Sequence, residues 1–255
     1  MKTGLMTWFT HHNYGTALQL AALSGQIKAL GHEVTLINYN PRPLPVDKAD
    51  YTFADYLSGR AKGLLNRLKN FHKRTNSYYY FPEGREEKFN AFINEHVSLS
   101  PEANTLPELE DAAENFDVVI CGSDQIWSPL CFDSHYYLDF VHDKSRKIAY
   151  APSIKPEHAK TALMKQEIIR LAKDFEHISV REENSAKTLS EWLNKDVKAV
   201  LDPALLLTPD EWEKNIAPSV SNYTHSGGGF WSTCSVTTKL TGQKFMRQLR
   251  NLALK

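Results

Sequence analysis

Apolar residues in this chain fall in short blocks separated by longer amphipathic stretches, and that alternation is its strongest structural signal. Residues 2–9 have strand character, the polar run His11 to Thr16 interrupts them, and TALQLAALSGQIKAL then places Leu18, Ala21, Ala22, Gly25 and Leu30 at roughly helical spacing. Gly31 stands where a helix ends, and EVTLINY, with Val34, Leu36 and Ile37, predicts a second strand. The first forty residues therefore predict a βαβ unit.

Prolines at 41, 43 and 45 then forbid regular structure, and DYLSGRAKGLLNRLKNFHKRTNSYYYF predicts a basic amphipathic helix trailing into aromatics. Its Arg60, Lys62, Arg67, Lys69, Lys73 and Arg74 suit either an anionic ligand or a solvated face. FNAFINEH and LPELEDAAENF predict short helices, so the stretch from about 41 to 113 reads as a helical insertion. After it, FDVVIC predicts a buried strand, RKIAYAPSI another, KTALMKQEIIRLAKDF a helix, and HISVREENSAKTLSEWL a strand running straight into a helix. KAVLDPALLL offers a short strand closed at Asp202-Pro203, and TPDEWEK a capped helix start with Thr208 as N-cap, Pro209 first and Glu211 third. Repeated strand-then-helix order implies an α/β fold, a parallel sheet flanked by helices, over residues 1–217. The remainder, 218–255, is an atypical tail, for no acidic residue follows Glu213 while Ser, Thr and Gly crowd SVSNYTHSGGGFWSTCSVTTKLTGQ.

Composition narrows the function. Thirty Lys and Arg balance thirty Asp and Glu, so no global field argues for nucleic acid or a membrane surface. The N-terminal segment breaks into polar residues before a signal-length apolar run forms, and no transmembrane-length apolar run follows, which makes a cytoplasmic protein the expectation. Cys121, Cys131 and Cys234 match no metal or redox spacing, and Cys121 reads as a buried strand residue rather than a nucleophile. No metal-ligand spacing is present.

In open parallel sheets, ligands bind beyond the carboxyl ends of the strands. Three loops qualify here. In HHNYGT, Gly15 lets backbone approach an anion while Asn13, Tyr14 and the histidines supply polar groups, though the loop is neither a dinucleotide nor a Walker pattern. In GSDQIW, Gly122 permits a tight turn and Ser123, Asp124 and Gln125 put a hydroxyl, a carboxylate and an amide at one strand tip. Asp124 suits a turn cap, an acid or base, or a holder of a sugar hydroxyl. In ISVREENS, Arg181 ends a strand before a helix, suited to capturing carboxylate or phosphate or to a structural ion pair with Glu182, Glu183 or a neighbouring acid.

Taken in order, HNYGTALQLAAL, FDVVICGSDQIW, RKIAYAPS, ISVREENS and VLDPALLL resemble the polysaccharide pyruvyl transferase family over roughly residues 5–213, with GSDQ-x-W and SVRE the most specific parts. The resemblance implies a Rossmann-like lobe like the N-terminal lobe of a GT-B-type transferase. It also implies transfer of an enolpyruvyl group from phosphoenolpyruvate to hydroxyls of a glycan or lipid-linked sugar, giving a pyruvate ketal, with phosphoenolpyruvate as donor substrate and no cofactor. On that reading Arg181 faces the donor, while Asp124, Gln125 and Asn13 face the sugar, and Asp124 and Arg181 are the catalytic candidates. The family's second lobe is not recognisable after about residue 218, so the chain resembles an N-terminal lobe with an unrelated tail and is expected to be weak or inactive alone. A nucleotide-sugar glycosyltransferase lobe and a non-catalytic glycan-binding module are the alternatives.

Overall fold

The computed structural model describes residues 1–10, 13–40 and 84–215. The chain forms two compact units, Met1–Asn40 with Phe89–Lys255, and Pro41–Lys88. Of the second, only residues 84–88 are described. His11 and His12, the basic helix expected around Arg60 to Arg74, and the tail 218–255 lie outside the described residues.

The elements run β1 (Lys2–Met6), α1 (Tyr14–Ala29), β2 (Glu33–Asn38), α2 (Arg85–His96), β3 (Ser98–Glu102), α3 (Leu106–Ala113) and β4 (Val118–Cys121). Then follow β5 (Lys147–Ala149), α4 (Ala162–Ala172), β6 (His177–Val180), α5 (Glu183–Leu193), β7 (Lys198–Ala199) and α6 (Pro209–Asn215). The strands make one seven-stranded sheet of order β3-β2-β1-β4-β5-β6-β7, parallel throughout. The chain steps outward from β1 to β3, then crosses back to place β4 beside β1. That reversal makes a topological switch point at the carboxyl ends of β1 and β4, the place where such sheets bind ligands.

Register explains why the strands read as continuous apolar runs. Leu36, Leu5, Ile120 and Ile148 are laterally paired and lie in one buried cluster, while Met6, Cys121, Ala149 and Ile178 are paired and lie in another with Ile37. Both faces of the sheet are covered, so alternation disappears from the sequence. Cys121 is fully buried, as its place in the run predicts.

Two local expectations need correction. The stretch read as a helical insertion over about 41–113 contains, between its two short helices, an edge strand, β3, whose side chains are mostly exposed and which carries Pro101. A polar edge strand lacks the apolar run that marks the buried ones, and proline is tolerated at an edge. In α1 the buried residues are Thr16, Ala17, Gln19 to Ser24 and Ile27, whereas Leu18 is exposed. The helix packs against the sheet and against the turn at Pro203–Leu205, so its covered surface is wider than one stripe.

No crossover helix joins β4 to β5. The connection is built of 3₁₀ turns around a stack in which Trp127 lies 4.7 Å from Tyr137, with Phe175 edge-on at 5.3 Å. Trp127 Nε1 donates to Tyr136 O (3.0 Å), and Tyr137 Oη donates to Trp127 O (3.2 Å). The aromatic residue of GSDQIW is therefore a fully buried core piece that holds the polar loop rigid.

Candidate functional site

The polar residues at the carboxyl ends of β1, β4, β5 and β6 join in one network. At its centre is Asp124, whose Oδ2 accepts from Thr16 Oγ1 (2.6 Å) and Gln19 Nε2 (2.7 Å), both on the first turns of α1. Its Oδ1 accepts from the backbone N–H of Gln125 (2.7 Å). Asp124 sits at φ 83°, outside the usual range for a side-chain-bearing residue, and its carbonyl accepts from Ser153 N (2.7 Å), prolonging the β4–β5 pairing by one bridge to Pro152. Such strain persists where surrounding bonds over-determine the backbone.

Gly122 is required at the start of this turn. Its φ is 121°, and a Cβ there would stand 1.9 Å from Tyr150 O. Ser123, also buried, uses its carbonyl to accept from Thr7 Oγ1 (2.8 Å) and its hydroxyl to donate to Ala151 O (3.1 Å).

Arg181, at the end of β6, reaches across to the same point. Its Nε donates to Ser123 Oγ (3.0 Å) and Ala151 O (3.2 Å), and Nη2 donates to Gln19 Oε1 (2.9 Å). Nη1 pairs with Asp202 Oδ2 at 2.9 Å, and Nη2 lies 4.0 Å from Asp124 Oδ1. The structural ion pair left open by spacing is thus formed, with Asp202 rather than with Glu182 or Glu183. Glu182 turns away, its Oε1 accepting from Ser153 Oγ while Oε2 is buried and unpartnered. Among the described residues, the carboxylates of Asp202 and Asp124 stand 2.9 Å and 4.0 Å from this guanidinium. Their field reaches the nearby phenols: burial first, then Asp133 and Asp124, push the Tyr136 hydroxyl up, and burial followed by Asp202 does the same at Tyr150.

Of the other expected site residues, Asn13 caps α1, its Oδ1 accepting from Gly15 N (2.8 Å). Tyr14 is 67% exposed, with its ring 4.9 Å from that of Phe89. Gln125 is exposed beside Asp124. Gly122, Ser123, Asp124 and Arg181 thus meet at one point, whereas Asn13, Tyr14 and Gly15 stand at the α1 start. Thr16, Gln19, Ser153 and Asp202 belong to the same network and went unread, although each lies inside one of the five segments that carry the resemblance. Among the described residues, no group of three or more His, Cys, Asp or Glu is placed to hold a metal ion.

A parallel sheet with a strand-order reversal, and a buried polar network at the carboxyl edge of that reversal, define a Rossmann-like α/β protein with its site at the switch point. The chain belongs to the polysaccharide pyruvyl transferase family, whose model matches residues 13–251. That match continues beyond residue 213, through most of the tail set apart by composition. No curated protein matches the chain.

Proposed function

We propose that this protein uses phosphoenolpyruvate as donor and a cell-surface glycan, or its lipid-linked precursor, as acceptor, forming a pyruvate ketal on two sugar hydroxyls. One sugar oxygen bonds to C2 of the donor, C3 gains a proton and becomes a methyl group, and the second oxygen then displaces phosphate. The reading places the reaction in the cytoplasm, where phosphoenolpyruvate is found. Asp124 and Gln125 suit the sugar, since a carboxylate and an amide together accept and donate to hydroxyls. Arg181 suits the donor's carboxylate or phosphate.

The observation that carries this reading is convergence. Five segments scattered from residue 12 to residue 207 bear the family resemblance, and they meet in one hydrogen-bonded network through Gln19, Asp124, Ser153, Arg181 and Asp202. The test is to incubate the full chain with phosphoenolpyruvate and a glycan acceptor, measuring phosphate release and the new ketal methyl signal by NMR. Both should appear together. Thermal stabilisation by nucleotide sugars but not by phosphoenolpyruvate would instead make the site a glycosyltransferase's. Glycan binding that survives Arg181→Ala, with no phosphoenolpyruvate binding, would make it a binding module.

A further inference from the structure

Gln19 is only 4% exposed, and both ends of its amide are committed: Nε2 donates to Asp124 Oδ2 at 2.7 Å and Oε1 accepts from Arg181 Nη2 at 2.9 Å. The two partners fix the amide's orientation, because a flip would set the carbonyl against the carboxylate and the NH₂ against the guanidinium. Buried polar side chains that satisfy all their partners specify a single geometry. Here one amide joins the two groups that the site reading singles out, residues 57 positions apart in sequence that follow the ends of separate strands.

The bonds also distinguish the two oxygens of Asp124. Oδ2 takes both side-chain donors, Thr16 and Gln19, whereas Oδ1 takes only the adjacent Gln125 N–H and lies 4.0 Å from Arg181 Nη2. A carboxylate oxygen accepts about two hydrogen bonds. Oδ2 is therefore full and Oδ1 retains capacity on the side toward Arg181.

We infer that Gln19 is a positioning residue: with Thr16 it turns Asp124 so that Oδ1 meets a sugar hydroxyl, and it holds the Arg181 guanidinium beside that oxygen. This rests on the pyruvyl-transfer reading for what the two groups touch, but the orientation itself does not. Loss of the link should misplace the groups without removing either, lowering turnover more than donor affinity.

Two variants of the full chain separate this from a purely structural role. Gln19→Met keeps length and loses both hydrogen bonds, so kcat should fall about 10- to 100-fold while KM for phosphoenolpyruvate changes about threefold or less. Gln19→Glu keeps an acceptor for Arg181 but sets a second carboxylate against Asp124 Oδ2. Two carboxylates that close share a proton, so the acid limb of the pH–rate profile should move up by about a unit or more. Carbon-13 NMR of the labelled Asp124 carboxyl gives a reading independent of turnover: two coupled titration steps in Gln19→Glu.

A native-shaped Asp124 titration in Gln19→Glu overturns the inference whether or not the chain is active. So does turnover within about threefold of native in Gln19→Met. If the native chain neither binds nor consumes phosphoenolpyruvate while the Asp124 titration splits as described, the pyruvyl-transfer reading fails and the orienting contact stands. Should Gln19→Met fail to fold by circular dichroism, the Gln19→Glu titration decides alone.

Discussion

An external anion at Arg181 meets a charge already there. Nε faces Ser123 and Ala151, Nη2 faces Gln19 and Nη1 pairs with the carboxylate of Asp202 at 2.9 Å, so a donor carboxylate or phosphate approaching the remaining N–H groups competes with the Asp202 charge. Asp202→Asn removes the competing charge while the new side chain can still cap the turn through the bond now made from Ala204 N to Oδ1 (2.9 Å). Phosphoenolpyruvate should then bind the full chain about three- to tenfold more tightly by calorimetry; unchanged or weaker binding would show that Asp202 does not compete. Gly122 makes a second demand. Gly122→Ala meets both the positive φ and a carbonyl at 1.9 Å, so we expect a loss of at least about 3 kcal/mol in urea unfolding. At this scale the strand tips were readable because Gly122 to Gln125 and Arg181 break out of apolar runs. Gln19 was not, because a polar residue among helical alanines and leucines looks like part of the solvent face.

The elements owe their visibility to burial. β1, β2, β4 and β6 lie under helices on both sides and appear as apolar blocks, so periodicity found them and predicted the parallel sheet. β3 has neither cover nor an apolar run, and only the structure reveals it. The width of α1's covered surface was equally hidden, since spacing predicts one stripe while the turn at Pro203–Leu205 adds a second contact. Caps were the most readable feature of all. Thr208 and Glu211 form the reciprocal pair read from TPDE, with Glu211 N donating to Thr208 Oγ1 (3.3 Å) and Thr208 N donating to Glu211 Oε2 (2.7 Å). Thr208→Ala should therefore cost about 1 kcal/mol, measured as a shift in the denaturant midpoint at constant slope. A change within about 0.3 kcal/mol would mean that α6 does not depend on its cap.

For the molecule as a whole, the pH dependence of stability turns on a few buried or half-buried groups. The hydrogen bond to Asp139 raises His135 above its ordinary value against a smaller effect of burial. Burial is the largest single influence on Asp139 and would raise it, but the bonds from His135 and Ser134 together with the charges of His135 and Lys147 outweigh it and leave Asp139 lowered. The two side chains meet at 2.8 Å. A raised histidine contributes stability that is complete below its unfolded value of about 6.5 and is lost as pH rises through the higher folded value. A lowered aspartate contributes stability complete above about 3.9 and lost as pH falls through the lower folded value. His32 works against the first of these, because burial and the chain's amino terminus lower it, so its share erodes once pH falls below about 6.5. The native melting temperature should therefore decline on both sides of a maximum near about pH 6. Asp139, Asp133, Tyr39 and Tyr136 surround the His135 ring or its partners, and Lys147, Glu167 and Arg170 face Asp139. Asp139→Asn leaves His32 and the exposed pairs intact and removes the charge that holds the His135 proton. The difference in melting temperature between native and variant should consequently be largest near about pH 5 to 6 and shrink by roughly 2–4 °C as pH rises past the His135 transition, the equivalent of about 1 kcal/mol in a protein of this size. Parallel curves for the two proteins above about pH 6.5 would show that the pair carries no linked proton.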